Sequence, residues 1–145
     1  MSLVFNVALG RIAAYADLPA ANDSLILVPF ASAGLPADTT MRDYATLAAV
    51  KAGATEQTNL GRKSLANVTV TVDQVNDRVA LDADDVTWPA SSGAPVGALL
   101  ICYKPDTSSA DTAIIPMTAH FVTFTPDGTD ITLAIADFAR SSSAA

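Results

Sequence analysis

The chain has 145 residues; half are hydrophobic, only 16% are charged, and 15 acidic against 8 basic residues give a net charge of −7. That length fits one domain with a substantial core. The acidity, with Arg62-Lys63 as the only adjacent basic pair, argues against direct nucleic-acid binding, and no apolar run is long enough for a membrane helix.

Taken in order, residues 2–15 open with Leu3, Phe5 and Val7 alternating with Val4, Asn6 and Ala8, a pattern that suits a strand or an extended arm over residues 1–10. Residues 11–16 fit either a strand or a short helix, and residues 18–23 are a loop with Pro and Asx turn signals. Residues 24–30, SLILVPF, are a short continuous apolar run, expected to be a buried strand with Pro29 at an edge or bulge. Met41, Tyr44, Leu47 and Ala48 fall at helical spacing after the Asp38-Thr39-Thr40 cap signal. They predict one short helix over 39–52, ended by Gly53.

Residues 67–88, NVTVTVDQVNDRVALDADDVTW, are the most strongly patterned stretch. Val68, Val70 and Val72 alternate with Thr69, Thr71 and Asp73, and the alternation resumes at Val79, Leu81 and Ala83. Strand side chains point to opposite faces with period two. Asn76-Asp77 supplies turn chemistry, so the stretch predicts a β-hairpin. A further strand is expected over 98–104. Residues 112–125 are expected to form two strands or a bulged edge strand, divided at Pro116. A turn at Pro126-Asp127-Gly128 and a last strand through Ile131, Leu133 and Ile135 follow, and 138–145 reads as a C-terminal tail. The fold class expected is mainly β, a β-sandwich or barrel-like set of antiparallel sheets with one short α-helix near residues 39–52.

The chemistry-bearing residues are sparse. His120, the only histidine, lacks a second histidine to complete a common zinc set and fits strand packing. Cys102 sits in Leu99-Leu100-Ile101-Cys102-Tyr103, the setting of a small buried hydrophobe and not of a nucleophile. Asp73, Asp77, Asp82, Asp84 and Asp85 lack the spacing of a calcium loop. Trp88, Phe121 and Phe124 read as core. Arg62 and Lys63 read as a solvated pair. No phosphate loop, dinucleotide fingerprint or nucleophile elbow is present. The residues therefore point to a non-enzymatic chain with no catalytic, cofactor or metal site. The N-terminus has no basic region ahead of its apolar residues, so synthesis and folding in a cytoplasm are expected. The low charge and high apolar content suit a chain that gives surface to subunit contacts.

A set of segments in order carries a resemblance: Phe5-Asn6-Val7-Ala8 with Gly10-Arg11, the run over 24–29, Gly61-Arg62-Lys63, the hairpin stretch, ALLICY followed by Lys-Pro-Asp-Thr, DTAIIPMTAH, TPDGTDIT and DFARSS. Together they span nearly the whole chain, which resembles small virion structural proteins of tailed bacteriophages, of head decoration (cement) or minor capsid type. The resemblance implies a protein without enzymatic activity on the capsid surface of a virion, made in the host bacterial cytoplasm. Its partners would be the major capsid protein and copies of itself. The residues expected to meet those partners are Leu3, Phe5, Val7, Arg11, Arg62, Lys63, Phe138 and Arg140, with the arm adding a strand to a neighbour's sheet. The alternative is a tail-tube, tail-terminator or head–tail connector protein that forms rings.

Overall fold

The computed structural model describes residues 2–18 and 22–142. In chain order they form β1 (Ser2–Val4), a 3-10 turn (Asn6–Ala8), α1 (Ile12–Asp17), β2 (Ser24–Ala31), α2 (Asp38–Met41), α3 (Leu47–Gly53) and β3 (Lys63–Ser64). Then follow β4 (Thr69–Asp73), β5 (Arg78–Asp82), β6 (Val86–Trp88), β7 (Val96–Lys104), β8 (Ile115–His120), β9 (Ile131–Leu133) and β10 (Ala139–Ser142). The protein is mainly β, with three antiparallel sheets. The five-stranded sheet runs β1-β8-β7-β2-β3, the three-stranded sheet β10-β5-β4, and the two-stranded sheet β6-β9.

The two most apolar runs of the sequence become the middle of the large sheet, where Leu25 to Phe30 of β2 pair with Tyr103 to Ala98 of β7. Both runs are apolar without alternation because the sheet is covered on both faces. On one face Leu25, Leu27, Leu99, Ile101 and Met117 pack with Leu81, Trp88, Ile135 and Phe138 from the smaller sheets and their flanks. On the other, Ile26, Val28, Phe30, Leu100, Cys102 and Ala119 pack with Phe5, Met41, Leu47, Val50 and Ile114. This is a stack of open sheets with a layer of short helices added. Each fully buried Leu or Ile side chain contributes about 1.5–3 kcal/mol of transfer free energy, so the β2–β7 ladder is where the stability is concentrated.

Two irregularities shape that sheet. Phe30 pairs with Ala98 but Ala31 with Val96, so Gly97 is the extra residue of a bulge. A Cβ at Gly97 would lie 2.5 Å from Ser32 Cα, so the backbone approach excludes any side chain there. In β8, Ile101 pairs with Thr118 but Cys102 with Pro116, leaving Met117 unpaired beside the proline; this is a bulge, but in one strand that lies between β1 and β7 and not at an edge. Pro29 lies inside β2. Its carbonyl accepts from Gln57 N–H at 2.8 Å. A strand residue's N–H and C=O point the same way, so the missing donor falls on that side and the β7 ladder is unbroken.

The helix expected over 39–52 is instead two, α2 and α3, with residues 42–46 between them. Met41 and Leu47 are both fully buried, yet on one continuous helix they would sit about 120° apart around the axis. The break lets both face the sheet. Thr46 Oγ1 accepts from Ala49 N–H at 3.2 Å and caps α3, while the Arg42 carbonyl accepts from Asn6 N–H at 2.8 Å. Gly53 ends α3 as expected.

The hairpin forms as β4 and β5, closed by a loop over 74–77. Asp77 takes the left-handed conformation at φ 48°. The Asp73 carboxylate holds the loop, accepting from Val75 N–H (3.1 Å), Asn76 N–H (3.2 Å) and Asn76 Nδ2 (2.6 Å). Val86–Trp88 leaves the hairpin and pairs with β9; the Trp88 indole N–H donates to the Gly61 carbonyl at 3.1 Å. The expected tail is in part a strand: β10 pairs with β5, while residues 143–145 lie outside the described residues.

Candidate interaction surface

The expected contact residues divide sharply. Phe5 is fully buried and Phe138 is 8% exposed, each within the chain's own core. Neither side chain is available to a neighbour, which corrects their expected surface role. Phe5 goes inward because β1 is not a free arm: Ser2, Leu3 and Val4 pair with His120, Ala119 and Thr118, and Phe5 N–H donates to the Met117 carbonyl at 3.0 Å. Leu3 and Val7 are half-buried against the helix-side cluster. Arg11 is exposed, Lys63 is half-buried in β3, and Arg140 is exposed and paired with Asp137. The structure does not gather these eight residues into one site.

Arg62 is not a solvated charge. It forks onto two carboxylates, reaching Glu56 through Nε (2.6 Å) and Nη2 (2.8 Å), and Asp111 through Nη1 (2.7 Å) and Nη2 (3.1 Å). Lys51 Nζ touches the same two carboxylates, Asp111 at 2.6 Å and Glu56 at 3.1 Å. The four side chains join α3 to the loops before β3 and β8. The Arg62 hydrogen bonds, followed by those from Lys51, hold Asp111 down at about 2 and Glu56 below the usual carboxylate range, against the opposing effect of partial burial. The same bonds raise Lys51 and Arg62. Such alternating charges at bidentate geometry form a structural clamp.

His120 ends β8, with Nε2 3.0 Å from Thr118 Oγ1, and burial lowers its pKa. It borders a cleft of about 200 Å³ whose walls are otherwise apolar, among them Leu27, Ile101, Leu133 and Phe138. Cys102 is buried, and burial pushes its thiol well up, away from the thiolate a nucleophile needs. The acidic residues of 73–85 serve the backbone and their neighbours: Asp82 accepts from Ala83 N–H, Asp84 from Asn67 Nδ2, and Asp85 from Ile135 N–H. Among the described residues no three His, Cys, Asp or Glu side chains gather as a metal-binding group, and no helix is long and apolar enough to cross a membrane.

What the surface does present is the β4–β5 hairpin. Val72 is 67% exposed and Val75, in the middle of the turn, is 91% exposed. Asp73 and Asp77 bracket the turn, with Arg78 bonded to Asp73 at 3.2 Å. A turn tied through one carboxylate therefore holds an apolar tip in an acidic setting. The sequence carries one signal of it, an aliphatic residue at 75 between Gln74 and Asn76 where turns are normally polar. The clamp carries none, because Arg62 and Asp111 are 49 residues apart.

Comparison with protein-family models, with curated proteins and with solved structures finds no match to this chain.

Proposed function

We propose that the protein is a non-enzymatic structural component of a tailed-bacteriophage virion, a head decoration protein that binds and stabilises the major capsid lattice. The hairpin carries this reading: an exposed valine tip, set in acidic surroundings, projects from a β scaffold whose first and last described strands are both tied into sheets. Docking that tip into an apolar recess with a basic rim removes apolar surface from water and matches charge. Each copy contributes a modest contact, and a symmetric shell repeats it at every equivalent position. The segment order that resembles phage virion proteins supports the same reading.

The test mixes the purified chain with expanded empty phage heads and follows co-sedimentation. Saturable binding is expected, weakened more than tenfold by Val75→Asp with an unchanged circular-dichroism spectrum. Equal binding by Val75→Asp, or absence of the protein from purified particles, overturns the reading. The edges of β1, β3, β4 and β10, which no further strand pairs among the described residues, favour a second reading, a ring-forming tail or connector protein. Closed rings in negative stain would select it.

A further inference from the structure

The edges of the two larger sheets are not alike. β1 has three residues, β3 has two and carries Lys63, and β10 carries Arg140. Short length and edge cations are the usual guards against strand addition. β4 has neither. It is five residues, Thr-Val-Thr-Val-Asp, without Lys, Arg, Pro or a bulge, and its pairing with β5 is regular throughout. Thr69, Thr71 and Val72 are exposed. Among the described residues no strand pairs with its outer side.

The sequence of that edge is self-complementary. Laid antiparallel against a second copy about Thr71, Thr71 faces Thr71, Val70 faces Val72, and Thr69 faces Asp73. Val70 is half-buried at the rim of the core and Val72 is exposed on the same face of the strand, so each copy's Val72 would extend the other's core. β-Branched pairs and Thr–Thr pairs are among the favourable cross-strand neighbours. Asp73, the one charge on the edge, is already bonded to Arg78 and Asn76 and meets a threonine, not another carboxylate.

We infer that β4 is a homodimerisation edge, joining two copies about a two-fold axis at Thr71 into a continuous six-stranded sheet, β10-β5-β4-β4-β5-β10. The contact is isologous and closes at two copies. One strand pair is a small interface, well below the roughly 1,200 Å² of a standard stable complex, so the dimer is concentration-dependent. The antiparallel arrangement sends the two hairpin tips to opposite ends, leaving both Val75 side chains uncovered. In combination with the lattice-binding reading, on which the dimer itself does not depend, it gives a bivalent particle.

The experiment uses the full chain alone, in analytical ultracentrifugation over a concentration series from micromolar to millimolar. The weight-average mass should rise toward twice the monomer. Val72→Lys, an exposed change that leaves the fold intact by circular dichroism, should raise the dissociation constant at least tenfold. In a second arm, Thr71→Cys should form a disulfide dimer under mild oxidation at least tenfold faster than Val75→Cys, because directly opposed strand residues lie within disulfide reach. Native Cys102 is buried and silent in this assay. A monomer throughout the series, a larger ring or polymer, or equal cross-linking of the two cysteine variants overturns the inference. A free chain that stays monomeric yet binds heads would sink the dimer and leave the proposed function standing.

Discussion

Replacing Arg62 by Met keeps most of the apolar stem and removes the charge that joins Glu56 and Asp111. The size of the effect follows from exposure. Breaking a fully buried ion pair costs about 3–5 kcal/mol, and breaking an exposed one about 0–1 kcal/mol. Here the side chains of Glu56, Asp111 and Arg62 are 8%, 26% and 29% exposed, between those limits. Lys51 remains beside both carboxylates after the change, which softens the loss. Arg62→Met should therefore destabilise by about 2 kcal/mol. With a urea dependence of about 1.5 kcal/mol per molar, the midpoint should fall by about 1.3 M. Arg62→Lys should recover less than half, since a lysine cannot fork onto two carboxylates. The pH dependence has a definite sign. Asp111 and Glu56 are depressed in the folded state, so their contribution is present above the ordinary carboxylate range and is lost as pH falls through their folded values. The gap between wild type and Arg62→Met should narrow as pH falls from 3.8 toward about 2, the window set by Asp111. A midpoint shift below about 0.3 M, or a gap that stays constant over that window, would refute the clamp.

Gly97→Ala puts a methyl 2.5 Å from Ser32 Cα and 2.8 Å from Leu35 Cδ1. Such overpacking should cost about 2–3 kcal/mol, seen as a melting temperature lowered by roughly 5–10 °C. Phe5→Ala should cost about 3–5 kcal/mol by chemical denaturation, and deletion of residues 1–9 should destabilise the chain as a whole; an unchanged denaturation midpoint in either variant would show that the segment is a dispensable arm after all. Asp73→Ala should speed amide exchange at Val75 and Asn76 several-fold while leaving β2 and β7 protected, measured by hydrogen exchange; unchanged rates at the turn would mean that the carboxylate does not hold it.

Much of the β architecture could be read from pattern. The runs at 24–30 and 98–104 gave two strands because continuous apolar residues need cover on both faces, and the alternation over 68–73 and 79–83 gave the hairpin. The single helix failed for a physical reason. Helical spacing at Met41, Tyr44, Leu47 and Ala48 is a local signal, whereas the break turns both Met41 and Leu47 onto the sheet, and its connecting residues Arg42 and Asp43 are bonded by Asn6 from the N-terminal segment. Phe5 differs from expectation because alternation near a terminus does not distinguish a strand docked on its own sheet from one offered to a neighbour, and Phe138 because β10 ties into β5 a stretch whose small residues read as a tail. Arg62 differs from the solvated charge expected because Asp111 lies 49 residues away in the chain, and Glu56, six residues away, belongs to a polar loop whose pattern shows no pairing. The exposed Val75 was visible as an oddity in a turn, but only the structure puts it at a tip.

The pairing of β1 with β8 has a consequence for biosynthesis. β1 finds its partner only after more than a hundred further residues have been added, and the strongly apolar β2 likewise waits for β7. Long-range pairing of this kind makes folding slow. A nascent chain leaving the ribosome thus carries an unmatched, sticky strand until everything between β2 and β7 has been made. Its yield in a cell should depend on chaperone supply and growth temperature more than the finished protein's own stability would suggest.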